Sequence, residues 1–312
     1  MFVNNNEDDM TLTQLKYVIT VAEAKSMNEA AKQLFISQPS LSSAIKDLEE
    51  EIGTEVFRRS NKGVFPTQEG KEFIGYARQV VEQYNLIETK YIEKGNIKKK
   101  FGVSTQHYTF AVKAFVEMVK QFGMDEYEFA IRETKTYEVI EDVKNFRSEI
   151  GILYINEFNK KILNKFFTEY GLEFHPILDC HIYVYMWKKH PLAERKEIAL
   201  EELEDYPCLS FEQGNNNSFY FAEEVLSTYH YKQGVKASDR ATLLNLMVGL
   251  NGYTLCSGII CEELNGSDYC AVRLKSDEIM TIGYLSRKGV TISSLGQKYI
   301  EELSKYKDKA LK

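Results

Sequence analysis

Gln38, Ser40, Ser42, Ser43 and Lys46 place hydrogen-bonding side chains and a cation within one short stretch. Leu41, Ile45 and Leu48 interleave with them at helical spacing and must face inward, which turns the polar set outward. Amides and hydroxyls on a helix of that kind can reach the donor and acceptor atoms on base edges in a major groove. Arg58, Arg59 and Lys62 follow within the next turn of structure, and such cations neutralise phosphates or reach a minor groove. The chemistry offered is recognition of duplex nucleic acid.

The flanking residues supply elements that can hold this set. Ser26 followed by Glu29 forms a capping box and starts a helix whose apolar face is Ala30, Ala31 and Leu34. Phe35 and Ile36 are expected to fill the turn. Ser37 caps a second helix, Pro39 sits in its first turn where a missing N–H costs nothing, and Gly53 ends it. Leu12 to Ala24 reads as a helix packed beneath, with Leu12, Leu15, Val18, Ile19 and Ala22 as its stripe. Residues 55–67 read as a hairpin with Asn61, Lys62 and Gly63 at its tip.

The run SMNEAAKQLFISQPSLSSAIKDLEEEIGTEVFRR, followed by GVFPTQEG, resembles the DNA-binding domain of the LysR-type transcriptional regulators. The SQPSLS core, the LEEEIG continuation and TQEG after the wing stand in the family's order. The resemblance implies a winged helix-turn-helix over residues 11–66. It adds Met27, Asn28, Ser37 and Pro39 to the DNA-binding set of Gln38, Ser40, Ser42, Ser43, Lys46, Arg58, Arg59 and Lys62. The family often carries Arg and Gln where this chain has Ser43 and Ala44, which shifts expected base readout toward Gln38, Ser40, Ser42 and the wing.

Bulk properties bound the rest. At 312 residues with 44% hydrophobic content, two or three domains with real cores are expected. The net charge of −7 opposes phosphate binding by the chain as a whole, so the cations must be concentrated on one face. No run approaches the roughly 18 apolar residues of a membrane span. The acidic N-terminus, residues 1–10, reads as a disordered tail without a signal segment, and a cytoplasmic location is expected. Cysteines at 180, 208, 256, 261 and 270 fit reduced thiols rather than a disulfide framework or a paired metal site, and neither redox sensing nor metal is expected of them.

Thr67 caps a long helix running to about residue 94, and residues 67–96 are assigned to dimerisation. Phe73, Ala77, Val80, Tyr84, Ile87 and Tyr91 recur at alternating steps of four and three, an a/d seam that wants a partner helix. A hinge at 95–100 leads into residues 97–312. Strands at 100–104, 127–134 and 150–155 alternate with helices at 109–122 and 137–145, which predicts a parallel sheet with crossover helices. A second α/β set follows: strands at 181–187, ending at Phe211, 235–237 and 253–257, with helices at 219–229 and 241–250. Strands near Arg273 and at 280–285 and a helix at 293–306 close the chain. The fold class is therefore α+β overall: an N-terminal winged helix-turn-helix (all-α with a small β wing), a long linker helix, then two α/β lobes. By family resemblance those lobes are of periplasmic-binding-protein-like type, with lobe one at about 97–170 plus 271–306 and lobe two at about 171–270.

In open α/β sheets ligands bind beyond the carboxyl ends of strands, at helix N-termini. That rule, together with the resemblance, selects Ser104, Thr105, Gln106, Thr134, Phe211, Glu212 and Asp239 as effector-binding residues. Hydroxyls over a helix dipole suit a small carboxylate. His107 is read as a surface residue in preference to a site residue. GxSxG, HExxH, Walker and strand-linked GxGxxG patterns are absent from the sequence, so no enzyme and no cofactor are expected. The expected partners are double-stranded DNA, a small-molecule effector, a second copy of the chain in a dimer or tetramer, and RNA polymerase. The rival reading is a cytoplasmic small-molecule-binding protein or enzyme whose N-terminal helices contact a protein partner.

Overall fold

The computed structural model of the protein describes residues 10–60, 63–88, 98–122, 126–216 and 218–307. The N-terminal tail before residue 10, the hairpin tip with Lys62, the end of the linker helix with Tyr91 and most of the hinge lie outside the described residues. The chain divides into two compact units, residues 1–97 and 98–312.

In the first unit, α1 (Leu12–Ala24) starts at Thr11, whose side chain accepts from Gln14 N–H while Gln14 accepts from Thr11 N–H. Leu15, Val18 and Val21 form its buried face. Ser26 caps α2 (Met27–Gln33), and Ser37 caps α3 (Gln38–Ile52) with Pro39 in the first turn. Gly53 ends α3 in the left-handed region at φ 64°. Leu41, Ile45 and Leu48 are fully buried against Val18, Ala30, Ala31 and Val56. The turn departs from expectation. Ile36 packs on this core, but Phe35 is 94% exposed and left-handed at φ 55°, because the tight turn puts its Cβ on the outside.

The wing is β1 (Phe57–Ser60) paired antiparallel with β2 (Gly63–Pro66). Glu49, near the end of α3, accepts hydrogen bonds from Val56 N–H at 2.7 Å and Phe57 N–H at 2.9 Å, which fixes the wing to α3. The TQEG motif has a steric reason. Thr67 Oγ1 donates to Glu55 O and accepts from Gly70 N–H, which starts α4 (Gln68–Glu88) directly over the wing strand. A Cβ on Gly70 would lie 2.0 Å from Val56 O, so only glycine allows that approach.

In α4, Phe73, Ile74 and Ala77 pack on the head, whereas Val80, Tyr84 and Ile87 are 51%, 38% and 58% exposed. The first part of the expected seam thus serves its own domain and the later part is open.

In the second unit, β3 (Lys99–Thr105), α5 (Thr109–Phe122), β4 (Tyr127–Glu133), α6 (Thr136–Lys144) and β5 (Ile150–Ile155) make the predicted parallel βαβαβ set. Then come α7 (Lys160–Glu169) and β6 (Leu172–His181). The chain crosses at Ile182 into β7 (Tyr183–Trp187), β8 (Glu197–Ile198), β9 (Cys208–Phe211), β10 (Gly234–Ala237), α8 (Arg240–Gly249), β11 (Thr254–Cys256), α9 (Glu262–Asn265) and β12 (Tyr269–Leu274). It returns through β13 (Ile279–Arg287) and ends in α10 (Ser294–Ser304).

The first sheet has the order β4-β3-β5-β13-β6, and the second has β11-β7-β12-β8 beside a parallel β9–β10 pair. Three differences from the sequence reading follow. Strand β6, expected to open lobe two, pairs with β13 in the first sheet, while β12 stays in the second, so the crossings fall at 182 and 275–278. Helix α7 was not anticipated, although Leu163 and Phe167 sit at helical spacing on its buried face. The helix expected at 219–229 is a single 3-10 turn at Phe219–Phe221 followed by bends, with Leu226 left-handed at φ 57°.

Candidate nucleic-acid interface and ligand cavity

The outward face of α3 is built as its residue types require. Ser37 Oγ accepts from Ser40 N–H at 3.2 Å and lies 2.7 Å from Ser40 Oγ. Gln38 Nε2 donates to Ser42 Oγ at 2.6 Å, and Ser43 Oγ lies 3.5 Å from Asp47. Lys46 pairs with Glu50 at 3.1 Å, a hydrogen bond that raises the lysine pKa. Pro39, Ser40, Ser43 and Lys46 are exposed, and Gln38 and Ser42 half-exposed. These local bonds hold the side chains in place; those of Ser37, Ser40 and Ser43 are exposed and can exchange for base edges at low cost, while the Gln38–Ser42 bond is partly buried. Asn28 is exposed beside them in the first turn of α2. Met27 is different: its side chain is 7% exposed, in the head core. Arg58 is exposed on β1, 3.9 Å from Glu55. Arg59 lies beside it on the same strand, and Lys62 lies outside the described residues.

In the second unit a cavity of about 90 Å³ opens between the two lobes. Its walls come from strand ends and helix starts: His107 and Thr109 after β3, Phe211 at the end of β9, Arg240 at the start of α8, and Thr254 to Ser257 along β11. Leu243, Leu255, Ile259 and Met280 line its apolar side. His107 and Phe211 stack across the gap with ring centroids 3.7 Å apart and 6° between planes.

His107 is therefore a wall residue and not the surface residue expected. Its N–H and Nδ1 meet Glu223 Oε2 at 3.0 and 2.8 Å. Gln213 Nε2 donates to Glu223 Oε1 at 3.0 Å, and Gln213 Oε1 accepts from Thr136 N–H at 3.1 Å. Arg240 bonds Glu133 through Nε and Nη2 and Thr109 through Nη1. Polar contacts thus join the two lobes beside the cavity. Glu224 Oε1 accepts from Phe211 N–H at 2.9 Å, and burial, then the neighbouring Glu223, push its carboxyl up to about 8.

Of the residues the sequence selected, Phe211 lines the cavity. Ser104 is fully buried and donates to Asp142 at 2.5 Å, away from the cavity. Thr105 Oγ1 donates to Gln106 O, and Gln106 bridges Thr136, Tyr108 and Tyr154, all inside the core. Thr134 bonds Glu138. Glu212 lies 3.4 Å from Lys135 at the rim. Asp239 caps α8 through Thr242, bonds that lower its pKa. Glu223 and Glu224 were missed, and their one signal is a pair of adjacent acids inside the aromatic run FYFAEEV, where a solvated face would not be expected.

Cys256 also lines the cavity, and burial pushes the thiols of Cys180, Cys208 and Cys256 up to about 12. Among the described residues no group of His, Cys, Asp and Glu could hold a metal, and no helix is long and apolar enough to cross a membrane.

Two family models match this chain. Residues 12–71 match the bacterial regulatory helix-turn-helix protein, lysR family, and residues 106–306 match the LysR substrate binding domain. The HTH-type transcriptional regulator CysL of Bacillus subtilis is 28% identical over 69% of both chains. The DNA-binding transcriptional dual regulator OxyR of Escherichia coli is 21% identical over 94% of this chain and 95% of its own. Among solved structures, a variant of full-length OxyR from Pseudomonas aeruginosa matches with a TM-score of 0.58 at 20% identity, covering 95% of this chain and 94% of that one. Full-length CbnR complexed with its target DNA matches with a TM-score of 0.52 at 18% identity, covering 95% and 99%. These two structures share the fold.

Proposed function

The chain belongs to the LysR family of DNA-binding transcriptional regulators with an effector-binding domain, and from that premise we propose how its own residues divide the work. Gln38, Ser40, Ser42 and Ser43 read base edges, while Lys46, Arg58, Arg59 and Lys62 hold phosphates. The carrying observation is the outward polar face of α3, capped at Ser37 and fixed to its wing through Glu49. Asn28 and the backbone of Met27, at the start of α2, add phosphate contacts of the helix-terminus kind.

Val80, Tyr84 and Ile87 form the seam to a second subunit, and α4 at 21 residues is about 30 Å long. Two such heads suit half-sites about 34 Å apart, or a multiple of that spacing. The inter-lobe cavity is the effector site. A ligand there must displace or reinforce the His107–Glu223 and Arg240–Glu133 contacts, and its unequal affinity for two lobe arrangements is what couples it to DNA. Such a regulator acts in the cytoplasm, with no catalytic step of its own, and RNA polymerase is the partner through which it alters transcription.

The test is a salt titration of the purified protein on DNA from its own upstream region against random duplex. Specific binding with paired protected half-sites is expected. Equal affinity for both duplexes at every salt would overturn the reading.

A further inference from the structure

The charges in the cavity wall are unevenly committed. Arg240 spends three of its five N–H donors on Glu133 and Thr109, and His107 is bonded to Glu223. Among the described residues the lining Arg240 and His107 each already face an acid, Glu133 and Glu223. The acids are the opposite case. Glu223 is satisfied by His107 and Gln213. Glu224 is 8% exposed, lines the cavity, and accepts from Phe211 N–H through Oε1; Tyr154 donates to its backbone carbonyl, while no side chain among the described residues hydrogen-bonds to its carboxyl. A buried carboxyl facing a cavity with an oxygen to spare is costly unless something donates to it.

The backbone around it is arranged for this placement. In an α-helix, neighbouring side chains point about 100° apart on one continuous surface. The chain instead leaves the 3-10 turn at Phe221 and bends, which directs one carboxyl to the His107 side and the other to the β9 side.

We propose that Glu224 is the anchor of the effector site and that the effector class is a small cation, an amino or amidino group on a short aliphatic chain. This rests on the cavity being the effector site, as above. The N–H donors meet the free Glu224 oxygen, and the aliphatic part lies against Leu243, Leu255, Ile259 and Met280. A cavity of about 90 Å³ has room for a group of roughly six heavy atoms. A carboxylate of the same size would face two acids and cations already paired with acids, contrary to what hydroxyls at strand ends suggest from sequence alone.

The ligand must displace a proton from Glu224, whose carboxyl is pushed up to about 8. The titratable and charged groups facing it are Glu223, Cys208, Tyr231, Tyr154, Tyr108 and Lys236. An alkylammonium stays charged throughout, so its affinity should rise about tenfold per pH unit up to pH 8 and level off above it.

The experiment uses the full-length protein and two matched series of probes, ethylamine to pentylamine and propionate to hexanoate, measured by thermal shift and calorimetry from pH 6 to 9. Amines are expected to raise Tm and carboxylates to leave it unchanged. Glu224→Gln keeps the Phe211 bond and is expected to weaken amine binding at least tenfold and flatten its pH profile. His107→Gln controls for the neighbouring imidazole, and the slope should survive it. Stabilisation by the carboxylates, unchanged amine binding in Glu224→Gln, or no response to any amine would each overturn the assignment. DNA affinity without probe is measured alongside. Intact specific binding with no amine response removes the ligand class but leaves the regulator standing, whereas absent DNA preference removes the regulator reading itself.

Discussion

Glu224 carries its proton at neutral pH because burial, and then Glu223, disfavour the carboxylate, raising it from 4.5 to about 8. A raised acid in the folded state gives stability that is fully present below pH 4.5, where both states are protonated. That stability is lost as pH rises toward 8, since only the unfolded chain releases the proton cheaply. Urea unfolding of the wild type should therefore show a falling midpoint between pH 5 and 8, and Glu224→Gln should lose most of that slope. Parallel slopes would remove Glu224 as the cause.

Phe35 poses the reverse problem: a bulky side chain at φ 55° with 94% exposure buries nothing in return for its backbone cost. Phe35→Asn should stabilise the head by on the order of 1 kcal/mol, read as slower amide exchange across residues 12–60. Recognition separates by residue in the same way. Arg58→Ala should weaken specific and random duplex alike and lower the salt slope by about one, while Gln38→Ala should cost about 1–3 kcal/mol on the specific site only. Filter binding on both duplexes distinguishes them, and equal losses by Gln38→Ala would end that division.

Elements were legible where local signals agreed. In α2 and α3 the caps at Ser26 and Ser37, the Pro39 position, the Gly53 stop and the apolar period coincide, and the helices fall as expected. In 219–229 they disagree. The apolar spacing reads as a helix, but Phe221 is drawn into the core beside Tyr137 and Phe166, Glu223 is drawn to His107 after β3, and Glu224 to Phe211 at the end of β9. Contacts distant in sequence outweigh a propensity worth a few tenths of a kcal/mol per residue. The bond between α3 and the wing was equally invisible, because Glu49 looks like one more solvated acid in LEEEI. With Val56 and Phe57 N–H left without an acceptor, Glu49→Ala should cost about 1–3 kcal/mol and loosen β1. Thermal unfolding with exchange at Val56 and Phe57 measures both, and full protection in the variant would count against the clamp.

At the scale of the molecule, the rule that ligands gather at the carboxyl ends of strands located the cavity but missed most of its wall by a residue or two. Ser104 and Gln106 point into the core while His107 faces the gap, and Asp239 caps α8 while Arg240 reaches across it. Which side of a strand end faces a cleft depends on how two lobes meet, and no local pattern encodes that.

Assembly is a different case, since the seam is visible both as period and as exposure. A single head with few phosphate contacts, on a chain of net charge −7, binds duplex weakly. Joining two heads through α4 makes the second contact intramolecular, an advantage of about a hundredfold or more. Val80→Glu with Ile87→Glu places charges at two exposed seam positions without touching the head core of Phe73, Ile74 and Ala77. The double variant should sediment as a smaller species and lose about a hundredfold in affinity for paired half-sites. Its affinity for one isolated half-site should stay near the wild-type value, because α3 and the wing are unchanged. Sedimentation velocity with anisotropy on both duplexes reads these outcomes, and a variant that remained dimeric with full affinity would place the subunit contact elsewhere than on α4.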